Sequence, residues 1–366
     1  MQIPIYKPYL PKSSLKYAHE ALDSTWISSQ GKYISMAAEK LQELLGVKYA
    51  LPVFNGTVAC HLLAKCAADK KGLSSIIVPD NVYVAAYNGF LFDKNWSLIS
   101  VACDLKTWNY DLTALDRVIN THPDAAVLIV HNIGNIINVP NLQLKYPNTL
   151  FLEDNCEGFL GQYNNIYSGT ASYASVISFY GNKNLSAGEG GAFLTNDEES
   201  YSYAKCIFSQ GQSSKRFIHN ELGYNYRMTN IQAAILYGQL ELAPEIMAKK
   251  HNVFESYRSA LKDREDILMQ HMEADTEHAC WMFGIRVPNH GGYDKAEQYF
   301  KQHGIEIRPM FYPIHAHDYL HGKVSWGDCS NAELLNEEAF ILPSYPDLTK
   351  EEVKHVLDTL SDYVRT

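Results

Sequence analysis

Six short apolar runs limit what this chain can fold into: 75–79 (SIIVP), 97–102 (SLISVA), 125–131 (AAVLIVH), 149–153 (TLFLE), 174–180 (ASVISFY) and 191–195 (GAFLT). Most are continuous rather than alternating, as strands are when both faces are buried in a mainly parallel sheet. Helical stretches lie between several of them, for instance at 111–120 and 198–206, so the class is α/β. Several runs end in a polar or charged residue: Asp80, His131, Asp154 and Asn196. In open α/β sheets the ligand site lies off the carboxyl ends of the strands, so these residues mark where chemistry is expected.

Around the strands, residues 34–45 place apolar side chains on one helical stripe that ends at Gly46, a suitable C-cap. Asn55-Gly56-Thr57 opens a second apolar helix through about Ala68, and a long helix is expected over 229–257, with a possible break at Pro244. Beyond it the pattern changes to an amphipathic helix, a strand near 280–287, a helix near 293–303 and a terminal helix after Asp347. The chain of 366 residues is therefore read as a large domain, 1–245, and a smaller α+β domain, 246–366.

The formal net charge is -10 and the sequence pI about 5.8, without the basic surplus that a nucleic-acid binder needs. A single phosphate remains possible, because a few backbone amides and one or two cations suffice to hold it. Seven cysteines (60, 66, 103, 156, 206, 280 and 329) include no CxxC, and no Cys/His set has structural-zinc spacing. Free thiols in a reducing compartment are expected. The first residues, MQIPIYKPYLPKSS, carry Lys7 and no apolar signal core, and no membrane-length apolar run occurs. The expectation is a soluble, cytoplasmic protein bound to neither nucleic acid nor membrane.

Lys183 stands just past a strand, before the glycine cluster Gly188-Glu-Gly-Gly191. A lysine at a strand's carboxyl end can be desolvated, which frees a neutral amine to act as nucleophile. Taken alone it reads more readily as a surface lysine on a loop. Its glycines follow the lysine, whereas a Walker A loop places glycine before it. Asp154 ends the run TLFLE-Asp, where a buried carboxylate wants a cation, although a structural salt bridge or N-cap would serve equally. Glu157 lies three residues on; such a carboxylate pair also occurs in glycosidases, but aromatic sugar platforms are missing nearby. Asn55-Gly56-Thr57 is either an anion cradle at a helix start or a plain N-cap. His315-Ala-His317-Asp318 is too short a set to indicate a metal, and no metal is expected.

Together, in order and spacing, these signals resemble one family. FNGTVACHLL (54–63), LEDNCEGFLG (152–161), SVISFYGNKNLSAGEGGAFLTND (175–197), LGYNYRMTNIQAAILYGQLE (222–241) and RPMFYPIH (308–315) are similar to blocks of the DegT/StrS sugar-nucleotide aminotransferases. The likeness runs from IPIYKPYL (3–10) to LPSYPDL (342–348), and LDSTWISSQGKYI (22–34) resembles the perosamine-synthase branch. It implies the fold type I of pyridoxal 5′-phosphate (PLP) transferases, the aspartate-aminotransferase fold, with a mainly parallel seven-stranded central sheet and a smaller C-terminal α+β domain.

By the same resemblance, Lys183 would hold PLP as an imine and, once freed, shuttle the reacting proton; Asp154 would pair with the cofactor's ring nitrogen. Gly56, Thr57 and Ser178 would hold the phosphate, and Asn225 would reach it from a neighbouring subunit of a homodimer. Tyr83 would stack on the ring and Glu157 would sit by its 3-hydroxyl, while Trp26, Tyr33, Arg308, Tyr312 and His315 would line the sugar-nucleotide pocket. The implied reaction, a step in glycan biosynthesis, cycles PLP through pyridoxamine phosphate. It moves the amino group of L-glutamate to a GDP-, UDP- or dTDP-linked 4-keto-6-deoxyhexose, giving a 4-amino-4,6-dideoxy sugar of the perosamine or viosamine type. Alternatives are a 3-aminotransferase, a PLP-dependent sugar dehydratase, or a non-catalytic binding protein on the same fold. The chain departs from the family blocks at Phe54, Cys156 and Gly158, and its segment 131–148 is shortened, implying a truncated helix.

Overall fold

The computed structural model describes residues 2–92 and 96–365. In chain order its strands begin with β1 (Tyr49–Val53), β2 (Ser75–Pro79), β3 (Ser97–Val101), β4 (Ala126–Val130), β5 (Phe151–Asp154), β6 (Gln162–Tyr163), β7 (Ile166–Tyr167), β8 (Ala174–Ser178) and β9 (Gly191–Thr195). They continue with β10 (Leu268–Met269), β11 (Thr276–Glu277), β12 (Phe283–Arg286), β13 (Arg308–Pro309), β14 (Val324–Ser325) and β15 (Ala339–Leu342).

The central sheet has the order β1-β9-β8-β5-β4-β2-β3-β14. From β8 to β14 every neighbouring pair is parallel, and β9 runs antiparallel to both β8 and β1. All six apolar runs became strands of this α/β sheet. The expected number of strands was seven; the structure adds β14, a two-residue strand from the C-terminal segment that extends the β3 edge. β1 (YALPV) is apolar but contains Pro52, and it is not among the six runs. Because β1 is an edge strand, the missing amide N–H of that proline costs no ladder bond in a sheet centre.

Helices cover both faces. The helix Gly56–Lys71 is buried along most of its length and packs over β8 and β9, in one apolar cluster with Leu152, Val176 and Phe193. On the other face Leu115 and Ile119 of the helix Leu112–Thr121 meet Val127, Ile129 and Phe151. Alternate residues of one strand thus feed opposite cores, which is why the runs read as continuous.

The second sheet, β10-β12-β15-β13, is antiparallel and packs with the helices Gly292–Gln302 and Ser330–Glu338. All its strands come after residue 246, and on that ground we propose the division into 1–245 and 246–366, although residue 245 lies inside the helix Ala243–Leu261. The helix expected over 229–257 is two helices, Asn230–Leu240 and Ala243–Leu261. Pro244 sits in the first turn of the second, where a missing N–H is tolerated. In the shortened segment 131–148 the helix is the seven-residue Val139–Lys145.

The helix Lys12–Asp23 lies against Asn230–Leu240, and Gly238 is where they touch. A Cβ there would stand 2.4 Å from the backbone nitrogen and 2.6 Å from the Cα of Ser14, atoms that cannot swing away. Gly238→Ala is therefore expected to destabilise by about 1–3 kcal/mol, the usual cost of overpacking. Thermal unfolding checks this: the midpoint should fall by several degrees, and an unchanged midpoint would show that the two helices separate freely.

Candidate active site

The site is assembled where strands end. Asp154 closes β5 and Ser178 closes β8; these strands are parallel neighbours in register, Asp154 opposite Val176, so their carboxyl ends lie side by side. The helix Gly56–Lys71 begins at the same edge, its first turn capped by Asn55, whose Oδ1 accepts the N–H of Val58 at 3.0 Å. Gly56 permits this meeting. A Cβ on it would stand 2.9 Å from Cβ of Ser178, so a side chain would close the gap between helix start and strand end. Around the junction opens a cavity of about 510 Å³.

Eight of the residues singled out from the sequence line this cavity: Gly56, Thr57, Tyr83, Asp154, Glu157, Ser178, Lys183 and Arg308. Asp154 is only 6% exposed; its Oδ1 accepts the N–H of Cys156 at 3.1 Å, and the thiol of Cys60 donates weakly to Oδ2 at 3.7 Å. Among the described residues it forms no salt bridge, so it offers a desolvated anionic face to the cavity. Lys183 sits on a turn closed by its own N–H to the carbonyl of Tyr180 (2.9 Å), and its carbonyl accepts the hydroxyl of Tyr6 at 2.8 Å. Its Nζ lies 3.8 Å from the ring centroid of Trp281, a cation–π contact, and the Trp281 indole N–H donates to the carbonyl of Asn182 at 3.0 Å.

Glu157 is 4% exposed, and its Oε2 accepts the N–H of Ile133 at 2.8 Å. Burial pushes its carboxyl up to about 7, a rise that the nearby Lys183 ammonium opposes. Ile133 holds φ at 58°, a left-handed conformation that a β-branched residue adopts only when its surroundings impose it. The thiol of Cys156 is pushed well above its ordinary value by its hydrogen bond with Cys60, by burial and by Asp154, which makes it a poor nucleophile. All seven cysteines are free.

Other expected site residues are not brought into this cavity. Tyr33 is corrected: it is 1% exposed and packed near Tyr17 and Tyr237, with its hydroxyl donating to Glu20 at 2.5 Å, so it is a core residue and not a pocket wall. Trp26 (59% exposed) and Tyr312 (55%) lie outside the cavity lining, and Nε2 of His315 lies 3.1 Å from Oε1 of Glu333. Asn225 is exposed and does not line the cavity of its own chain. Two lining residues carry no sequence signal of their own: Trp281, whose position on the wall depends on long-range packing, and Asn182, which lies in the quoted lysine block and whose buried Oδ1 has no partner among the described residues. Among the described residues no group of three or more His, Cys, Asp or Glu is placed to hold a metal, and no helix is long and apolar enough to cross a membrane.

The profile of the DegT/DnrJ/EryC1/StrS aminotransferase family matches residues 8–361. The chain is 33% identical to the GDP-perosamine synthase of Escherichia coli O157:H7, over 99% of this chain and 98% of that protein. It is 32% identical to the GDP-perosamine synthase of Vibrio cholerae, over 99% of both. Among solved structures it superimposes on a Helicobacter pylori aminotransferase involved in pseudoaminic acid biosynthesis, with TM-score 0.89, 25% identity and full coverage of both chains. A GDP-4-keto-6-deoxymannose-3-dehydratase with bound GDP-perosamine gives TM-score 0.92 at 22% identity over 98% of this chain and all of that one, a likeness of fold.

The burial of Glu157 has a measurable sign. Its ordinary value is 4.5 and its folded value about 7, so the folded chain binds the extra proton between these limits. Its stabilising contribution is complete below about 4.5 and is lost as pH rises through about 7. Glu157→Gln, which keeps an acceptor for Ile133, should therefore gain stability relative to the parent between pH 5 and pH 8. Unfolding midpoints of both cofactor-free proteins at the two pH values check this; a difference that stays constant with pH would contradict it.

Proposed function

For a chain that belongs to the DegT/DnrJ/EryC1/StrS aminotransferase family, we propose that this cavity aminates C4 of a nucleotide-linked 4-keto-6-deoxyhexose, with L-glutamate as amino donor and a 4-amino-4,6-dideoxyhexose as product. The enzyme is a PLP-dependent aminotransferase. The observation that carries the reading is the meeting, in one cavity, of an amine (Lys183), a desolvated carboxylate (Asp154) and a helix start opened by glycine (Gly56).

These residues fit the cofactor's functional groups. Asp154 would hold the proton on the ring nitrogen, since a buried carboxylate without a cation of its own is stabilised by one. The backbone amides at Gly56 and Thr57, with the hydroxyls of Thr57 and Ser178, would take the phosphate at the positive end of the helix. Tyr83 would cover the ring face and Glu157 would lie by the 3-hydroxyl. When bound, PLP supplies an electron sink that makes the substrate carbon–hydrogen bond labile. The chain's part is to move that proton, and Nζ of Lys183 is the base and acid that does so. Trp281 walls the lysine's side of the cavity, and Arg308 offers a cation toward an anionic substrate. Glutamate leaves as 2-oxoglutarate before the keto sugar gains its amine.

Similarity to the two GDP-perosamine synthases supports GDP as the nucleotide and GDP-4-keto-6-deoxymannose as acceptor. The retained Lys183 favours amination over dehydration. Trp26, Tyr312 and His315 are proposed to contact the nucleotide sugar, and Asn225 to reach the phosphate of a partner's site in a homodimer. Seven free cysteines support a reducing, cytoplasmic setting.

Incubation with glutamate and each of the GDP-, UDP- and dTDP-4-keto-6-deoxy sugars, followed by mass spectrometry and NMR, tests the reaction. The expected product is a C4 amine from the GDP substrate; amination at C3, or loss of a hydroxyl, would replace this reading. A mixed dimer with Asn225→Ala in one subunit and Lys183→Ala in the other tests the shared site. Sharing leaves one complete site and half the parental activity; activity no higher than that of the Asn225→Ala site alone would refute it.

A further inference from the structure

Lys250 is a charged side chain that the reaction does not use. It lies on the helix Ala243–Leu261 with no exposed surface, and among the described residues no carboxylate pairs with it. Its Nζ donates instead to two backbone carbonyls, those of Trp281 at 2.7 Å and Ser344 at 2.6 Å, and lies 5.1 Å from the ring centroid of Tyr6. Burial pulls its ammonium down to about 7. A lysine kept here without an acid is expensive compared with a methionine of similar length.

Two of its neighbours converge on Lys183. The Tyr6 hydroxyl donates to the Lys183 carbonyl at 2.8 Å, fixing the main chain of the turn. The Trp281 ring lies 3.8 Å from the Lys183 amine, and its indole N–H holds the preceding carbonyl, that of Asn182, at 3.0 Å. Trp281 needs support from behind, because the residue before it, Cys280, is in the left-handed region at φ 53°, tied by its N–H to Nδ1 of His278 at 2.9 Å. Lys250 provides that support by gripping the Trp281 carbonyl.

We propose that Lys250 is a positioning residue for Lys183, acting through Trp281 and Tyr6, which together hold the lysine's turn and its amine against the cavity wall. This rests on the proposed function in that it takes Lys183 as the reacting amine. A misplacement of about 1 Å in a reacting group can cost about a hundredfold in rate, so the support is felt in turnover rather than in binding.

The test is a double-mutant cycle of Lys250→Met and Trp281→Phe in the holoenzyme. Each single change should lower kcat about tenfold or more while KM for glutamate stays within about twofold, and the double variant should be no slower than the slower single one, because both act on one support. Multiplicative losses, or a Lys250→Met enzyme with parental kcat, would overturn the proposal. Should Lys250→Met fail to fold, Tyr6→Phe removes only the hydroxyl on Lys183 and enters the same cycle with Trp281→Phe, with the same outcomes deciding. A second readout is the rate at which trinitrobenzenesulfonate labels Lys183 in the cofactor-free chain, followed by peptide mass spectrometry. It should change severalfold in Lys250→Met, and an unchanged rate would overturn the proposal. A parental enzyme that aminates no sugar would sink the proposed function, while the labelling rate would still report on the support of Lys183.

Discussion

Asp154 is a carboxylate taken out of water with no cation paired to it among the described residues, and the architecture of the site follows from where that charge is placed. At the end of a buried parallel strand, with a weak thiol donor and one backbone N–H for partners, it is stabilised by a positively charged atom arriving from the cavity. The ring nitrogen of PLP, when protonated, is such an atom. Lys183, on the turn that follows the neighbouring strand β8 and held by its own backbone partners, would face the cofactor across the cavity. Gly56 lets the helix proposed to hold the phosphate come within reach of Ser178.

Much of this was legible from the chain alone because the sheet is buried on both faces. Continuous apolar runs with polar last residues located β2, β3, β4, β5, β8 and β9, and with them the edge where Asp154 and Ser178 stand. What escaped had a physical reason. β1 carries Pro52, which argues against a strand unless the strand lies on an edge. The helix Lys12–Asp23 starts at Pro11 with no side-chain cap, so its boundary left no local mark. β14 has two residues and exists only because the C-terminal segment returns to the β3 edge.

The site divides in the same way. Lys183, Asp154, Gly56 and Ser178 belong to blocks whose spacing carries meaning, and the cavity contains all four. Tyr33 stands in an N-terminal block, but the helix Lys32–Leu45 turns that ring into the core, and its hydroxyl donates to Glu20. Trp281 and Lys250, 31 residues apart, lie outside the quoted blocks, and only the packing of the C-terminal part against the lysine turn brings them behind position 183. Sequence periodicity reports which face of an element is buried; it does not report which distant element buries it.

The central claim is that the amine at 183 is the one that captures PLP. The most direct measurement is borohydride reduction of the protein loaded with PLP, followed by peptide mapping of the pyridoxyl label, in the parent and in Asp154→Asn. The account predicts one labelled lysine, Lys183, and a much weaker cofactor hold in the variant. A label on another lysine, or none at all, would contradict it.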